Sequence, residues 1–430
     1  MGKIRKMKVK FSHLMLGGLA IRLLLIAYGT WHDAHMDLKY TDIDYTVLTE
    51  GAKYVAEGQS PFYRSTYRYS PLYAYLVLPN LYVHEAFGKL VFCAFDLLCG
   101  FLIYKILKDD LLELHLDMKK VLIYTSTWIF NPIVINISTR GSSESIVVLC
   151  VLLTLYFFLQ RKLVLSGIFY GLAVHVKIYP VLFTLPFVLR LDNEWVERGL
   201  NKKNATNAKK PKEQKRRGLF GWIGWFFHIM KYRILFGCVA LSVFIAISGL
   251  FFYMYGFQCL FEQFLYHATR TDVRHNFSLF WYYLYLRDSM DTVSPIASVG
   301  FFLPQLILWL FLSIALYKEL PLCLFANTLC FVMLNKVCTV QYFVWWFSLL
   351  PLALPFAPSV TMFSFGAIIL AWLLIQVLWI RLSYQIEFLG RADFFPMFLS
   401  CILFFISNLV ILCLFLYKPK SLQKKVEKKE

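Results

Sequence analysis

Apolar stretches long enough to cross a bilayer recur from one end of this chain to the other, and no other feature restricts its fold so severely. A segment in hydrocarbon has no water to satisfy its backbone, so it must be a helix or a closed barrel. A spanning helix needs about 20 mostly apolar residues. Such stretches lie at 13–31, 86–107, 120–137, 144–160, 233–255, 296–317, 320–334, 342–357, 361–380 and 395–417, with two shorter ones inside 163–191. The chain is 59% hydrophobic with a mean hydropathy of +0.59, against about 45–50% apolar residues for soluble domains. The reading is an all-α polytopic membrane protein, a single helical bundle over 1–430 with about twelve spans.

The net charge of +18 is not a nucleic-acid signature here, because the Lys and Arg residues gather between spans, where orientation is encoded. With the N-terminus in the cytosol, the basic segments 1–10, 105–120, 161–162, 191–232, 318–319 and 418–430 all fall on one side. Residues 1–10 followed by the apolar run read as an uncleaved signal-anchor. The stretch 191–232 reads as a basic cytosolic loop beside anionic lipid heads, and 418–430 as a cytosolic tail. The opposite face collects the long loops 32–85 and 256–295 and the turns at 138–144, 175–180 and 335–341. Every polar cluster with chemical potential therefore faces the lumenal side.

On that face, the first loop carries Tyr40-Thr41-Asp42-Ile43-Asp44-Tyr45. Asp42 and Asp44 are candidate catalytic carboxylates: one could take a proton from a sugar hydroxyl, or the pair could bind a divalent cation. In an extended loop, residues two apart would present both carboxylates to one pocket; ordinary solvated acids are the alternative. The second loop runs His267-Ala-Thr-Arg270-Thr-Asp272-Val-Arg274-His275-Asn276. Arg offers a rigid fork of donors suited to phosphate, so Arg270, Arg274 and His275, with Lys177 and Lys336 from the turns, are candidate donor-phosphate ligands. Tyr67, Arg68, Arg140, His267, Asn276 and Gln341 are candidate substrate contacts. Carboxylates and cations together at a water–lipid boundary point to a lipid-linked phosphate substrate; a transporter of organic anions is the rival, though it would favour two similar halves with midplane charges. The cysteines lack metal-type spacing. Of the sequons at Asn136, Asn204 and Asn276, none is expected to carry a glycan.

The motifs Tyr40–Tyr45, Tyr67-Arg-Tyr-Ser-Pro-Leu72, His175-Val-Lys-Ile-Tyr-Pro180, Arg274-His-Asn-Phe-Ser278, Phe302-Leu-Pro-Gln305 and Asn335-Lys-Val-Cys-Thr339 with Gln341-Tyr-Phe343 resemble those of the GPI mannosyltransferase I catalytic-subunit family. The likeness runs from about residue 13 to 417. It implies a GT-C-type helical bundle with lumenal catalytic loops in the endoplasmic reticulum membrane. It implies transfer of a first α-1,4-linked mannose, with inversion, from dolichyl-phosphate-mannose to glucosaminyl-(acyl)phosphatidylinositol. It also implies a small single-span stabilising subunit, and it carries the family's D-x-D onto Asp42 and Asp44. Thr139, the pair Ser143-Glu144 and the basic insertion near 200–217 depart from the family pattern. Another dolichol-linked sugar transferase with a different acceptor is the nearest alternative.

Overall fold

The computed structural model describes residues 10–111, 114, 116–197, 219–270, 272, 274–288, 300, 302–357 and 361–417. The core of the basic insertion, Asn204 and the 418–430 tail lie outside them. Among the described residues there is no strand, and the chain divides into two compact units, 1–112 with 135–264 and 113–134 with 265–430.

In the first unit, α1 (Phe11–His35) lies against α5 (Phe87–Lys105). Arg22 in α1 and Asp96 in α5 form a buried ion pair of 2.8 Å, and Ser138 Oγ donates to the same Asp96 oxygen at 2.9 Å. A charge in a span survives only with such a partner, so Arg22 is structural. Between these helices the expected loop 32–85 is largely helical: α2 (Ile43–Ala56), α3 (Pro71–Leu76) and α4 (Pro79–Tyr82). Asp42 caps α2 by accepting from the Asp44 N–H, and Ser70 caps α3, whose first residue is Pro71. Both satisfy donors that a helix start leaves open, and Pro there gives up no bond.

Met118–Ile129 (α6) and Pro132–Thr139 (α7) are bent by 43° relative to each other. Glu144–Leu159 (α8) and Leu163–Val176 (α9) follow, and α8 packs on both α5 and α9. Beyond α9, Pro180 opens a short 3-10 turn, Tyr179–Phe183, as the sequence suggests. The long helix Leu219–Tyr255 packs along α9. Gly171 permits that approach, since a Cβ there would strike the Ala240 carbonyl; small residues let membrane helices come this close. This helix begins at Leu219, inside the stretch expected to be a basic loop.

The second unit is built from α6 and the helices Leu303–Leu316, Leu320–Leu334, Phe343–Ala353, Met362–Glu387 and Phe394–Leu416. Leu320–Leu334 is its centre, packed against Leu303–Leu316, Phe343–Ala353 and Phe394–Leu416 and buried along nearly its whole length. The expected loop 256–295 is also partly helical: Phe257–Leu260 lies in the first unit, and Tyr266–Thr269 and Trp281–Asp288 in the second.

Each of the twelve expected apolar stretches contains a helical segment among the described residues. Length supports fewer crossings: five described helices suffice alone, six if α6 and α7 make one bent span. The rest, such as the 14-residue α9, reach no more than about 26 Å at 1.5 Å per residue, short of a hydrocarbon core of roughly 30 Å.

Candidate active site

The carboxylate pair stands at the start of a helix, not on an extended strand. Asp42 is the N-cap of α2 with φ −68° and ψ 142°, and Asp44 lies in the first turn. The two-residue strand geometry expected from D-x-D is therefore replaced by a cap. The α2 terminus favours both negative charges through its dipole.

What fixes this terminus is the turn after α7, nearly a hundred residues away. The Asp42 N–H donates to the Arg140 carbonyl at 2.9 Å. In return, Arg140 Nε donates to the Tyr40 carbonyl at 2.8 Å, and its Nη2 lies 3.9 Å from Asp42 Oδ2. The Tyr40 hydroxyl bonds Thr139 Oγ1 at 2.7 Å. Gly141 sits at φ +94°, and a Cβ there would run into the Tyr45 ring. Only glycine meets both demands at that point. The Asp42 side chain is 14% exposed and that of Arg140 38%, so the carboxylate is sheltered while the guanidinium still reaches water.

Asp44 accepts a hydrogen bond from the Tyr69 hydroxyl. Burial first, then Asp44, Glu144 and Asp42, push the Tyr69 phenol well above its ordinary value. It stays protonated at any working pH and remains a donor. The neighbouring Tyr73 shares this: burial and Glu144 raise it, and Ser143 bonds its hydroxyl. Glu144, buried at the start of α8, pairs with Lys177 at the C-terminus of α9. One unit thus brings together Asp42, Asp44, Glu144, Arg140, Lys177 and Tyr69. Behind them, His175 is fully buried, its Nε2 on Ser70 Oγ and its Nδ1 on Ser248 Oγ, both at 2.9 Å. It ties α3, α9 and the long helix together.

Two expected substrate contacts, Tyr67 and Asn276, are built into the fold. Tyr67 is 1% exposed, and its hydroxyl donates to the Ser70 carbonyl at 3.0 Å. Arg68, half-buried in the same segment, lies 3.5 Å from Glu262. In the second unit, Asn276 is wholly buried: its Nδ2 donates to the Asp272 and Lys336 carbonyls at 3.0 Å, and its Oδ1 accepts from the Ser278 and Cys338 N–H groups at 2.9 Å. Every hydrogen-bonding position of the amide is used. Arg270 chelates Asp272. His275, exposed and at φ +51°, lies 3.5 Å from Glu387, and Arg274 beside it is exposed. Lys336 is buried with its ammonium 5.4 Å from the centre of the Phe302 ring. His267 lies on the short helix Tyr266–Thr269, and Gln341 accepts from Thr339 Oγ1 at 3.3 Å.

Among the described residues, no group of three or more His, Cys, Asp or Glu could hold a metal ion. Asp42 is engaged by its helix and Arg140, so the site presents no ready divalent-cation cage. The ten cysteines are free thiols.

Two residues that sequence patterns do not single out complete the setting. Asp33, near the end of α1, accepts from the N–H groups of Tyr40 and Thr41, and Lys89 of α5 donates to Thr41 Oγ1 at 2.6 Å.

The family model for Mannosyltransferase (PIG-M) matches residues 137–416, a segment holding Arg140, Glu144 and Lys177. Full-length likeness reaches the aspartates as well. GPI mannosyltransferase 1 of Dictyostelium discoideum is 39% identical over 408 residues, 92% of this chain and 89% of that protein. GPI mannosyltransferase 1 of Aspergillus oryzae is 40% identical over 399 residues, with 92% and 94% covered. GPI alpha-1,4-mannosyltransferase I, catalytic subunit, of Danio rerio is 37% identical over 401 residues, with 93% and 95% covered.

Proposed function

Since the chain belongs to the mannosyltransferase (PIG-M) family, we propose that it uses the Asp42–Asp44 site to build the first α-1,4 mannosyl linkage of a GPI anchor. It is a multi-pass membrane glycosyltransferase that transfers mannose in GPI-anchor synthesis. The finer reading names dolichyl-phosphate-mannose as donor and glucosaminyl-(acyl)phosphatidylinositol as acceptor. It puts the reaction on the lumenal face of the endoplasmic reticulum, with a small single-span subunit stabilising the chain.

The observation that carries the site assignment is the cation beside the capped carboxylates: Arg140 touches both the backbone and the side chain of the Tyr40–Asp42 segment. An inverting transfer needs one displacement. The acceptor hydroxyl oxygen bonds to the mannose anomeric carbon as the bond from that carbon to the phosphate oxygen breaks. The hydroxyl proton goes to the Asp42–Asp44 pair, and the electron pair leaves on dolichyl phosphate. Arg140 and Lys177 are the cations of this unit suited to the phosphate, since charge on a leaving oxygen is best met by preorganised donors. Tyr69 holds the Asp44 carboxylate in place. Arg270, Arg274, His275 and Lys336 are further phosphate candidates, and Arg68, His267 and Gln341 sugar or lipid contacts.

Membranes carrying the chain, given labelled dolichyl-phosphate-mannose and glucosaminyl-phosphatidylinositol, are expected to form a mannosylated phosphoinositide. Mannose transfer only to a different acceptor would favour another dolichol-linked transferase, and donor uptake without a new glycosidic bond would favour a transporter. The lumenal orientation has its own check. A glycosylation acceptor inserted near residue 208 should remain unmodified, because the basic stretch faces the cytosol in this reading. A glycan there would reverse the orientation and move the aspartates to the wrong side.

A further inference from the structure

We infer that Asp33, Thr41 and Lys89 form a positioning network that sets the Asp42 carboxylate, with the Thr41 hydroxyl as its centre. The inference rests on the reading of Asp42 as part of the reacting site.

The segment joining α1 to α2 has to turn sharply. It carries Tyr40, Thr41 and Asp42 into register with the turn at Arg140, and Arg140 holds only one side of it: the Tyr40 carbonyl, the Asp42 N–H and the Asp42 carboxylate. The Tyr40 and Thr41 N–H groups and the Thr41 hydroxyl go to Asp33. Its carboxylate accepts from the Tyr40 N–H at 2.5 Å, from the Thr41 N–H at 3.2 Å and from the Thr41 hydroxyl. Three donors on one carboxylate fix two consecutive peptide units. They do so from the last turns of α1, the first helix of the unit.

The Thr41 hydroxyl is used twice. It donates to Asp33 and accepts from the Lys89 ammonium at 2.6 Å. That ammonium lies 4.0 Å from the Asp33 carboxylate and 5.4 Å from the centre of the Tyr45 ring. Lys89 is 5% exposed and stands in the first turn of α5. Burying a lysine costs free energy unless charge and hydrogen bonds meet it. Here an acid, a hydroxyl and an aromatic face all do. Tyr45 links the network to α2 itself: its hydroxyl donates to the Glu85 carbonyl at 2.6 Å and accepts from the Lys89 N–H at 3.3 Å.

The arrangement leaves the segment before Asp42 pinned from α1, from α5 and from the turn after α7. Asp33, Thr41 and Lys89 hold the chain just before Asp42 and not its carboxylate. They act through its backbone, so their effect is on where the carboxylate stands when the acceptor arrives. A displacement of about 1 Å in a reacting group can cost on the order of 100-fold in rate. A positioning residue should therefore lower turnover and leave donor and acceptor binding largely intact.

Thr41 separates this role from bulk folding, because valine has the same shape without the hydroxyl. Transfer is measured on membranes holding the full chain, with labelled dolichyl-phosphate-mannose and glucosaminyl-phosphatidylinositol, and rates are divided by the amount of chain. Thr41→Val is expected to lower kcat by about 10–100-fold with both KM values within a factor of a few of wild type. Thr41→Ser restores the hydroxyl and should recover most of the turnover. Asp33→Asn, which keeps the shape but weakens the acceptor, should fall between them. The inference is overturned by unchanged kcat in Thr41→Val, by a loss that appears only in KM, or by a loss that serine fails to recover. It is overturned equally if rate per molecule is normal in Thr41→Val and Asp33→Asn and only chain abundance drops. Asp42→Asn run in parallel keeps the two readings apart. If Asp42→Asn is fully active, the reacting site itself is misassigned; if it is inactive while Thr41→Val is normal, only the network fails.

Discussion

Asp42→Asn and Asp44→Asn are each expected to lower mannose transfer by about 10²–10⁴-fold, the span over which a positioned proton acceptor contributes. The asparagine replacements are the informative ones because this site is part of a helix terminus. Asn caps a helix about as well as Asp, so Asp42→Asn should leave α2 in place and the Asp42 N–H on the Arg140 carbonyl. What it removes is the negative charge facing Arg140 and the capacity to hold a proton. Asp44→Asn likewise keeps an acceptor for the Tyr69 hydroxyl and loses only basicity. Activity is read on membranes by product formation, and in cells lacking the enzyme by the return of GPI-anchored surface proteins at equal chain levels. Full restoration by both asparagine variants would make the pair ordinary acids at a helix start.

The largest effect on stability is expected from Asp96→Ala. The Arg22–Asp96 pair measures 2.8 Å, with side chains 0% and 1% exposed. Removing one partner of a buried pair typically costs about 3–5 kcal/mol, because the other charge is left behind. Asp96 also receives Ser138 Oγ at 2.9 Å, so its loss loosens the end of α7, from which Arg140 follows. A thermal midpoint in detergent should drop, and chain abundance with it. Arg22→Met combined with Asp96→Leu leaves no orphan charge and should cost less than Asp96→Ala alone. If the double variant is as unstable as the single one, the pair is not what holds α1 to α5.

Much of this was legible in the sequence, for identifiable reasons. Apolar stretches announce membrane helices because hydrocarbon excludes open backbone, and each of the twelve contains a helical segment among the described residues. D-x-D draws attention to Asp42 and Asp44 because the two acids lie close together just after the first span, on the face that collects the other polar clusters. The geometry was not legible: Asp42 turned into a helix cap, since its side chain had a nearer partner in the Asp44 N–H than any pocket. The hydrogen bonds by which Tyr67 and Asn276 hold their loops were not legible, because a polar residue in a motif looks the same whether it meets a ligand or staples a loop. Asp33 and Lys89 gave no signal at all. Their partner is Thr41, eight residues from one and 48 from the other, and no spacing rule connects them. The Glu144–Lys177 pair was hidden in the same way, by a separation of 33 residues.

The distance between Tyr40 and its partners at Thr139 and Arg140, 99 and 100 residues, has a consequence for how the protein is made. The Asp33 contacts to Tyr40 and Thr41 are local and can form as soon as Thr41 leaves the ribosome. The contacts that hold Asp42 cannot. At synthesis rates of about 5–20 residues per second, the turn at Arg140 arrives roughly 5–20 s after Asp42 has emerged. Through that interval the N-terminus of α2 has no Arg140 carbonyl to receive the Asp42 N–H and no guanidinium beside its carboxylate. A translation pause between residues 45 and 140 would lengthen the exposure, so codon choice along that stretch bears on how much newly made chain reaches the active form.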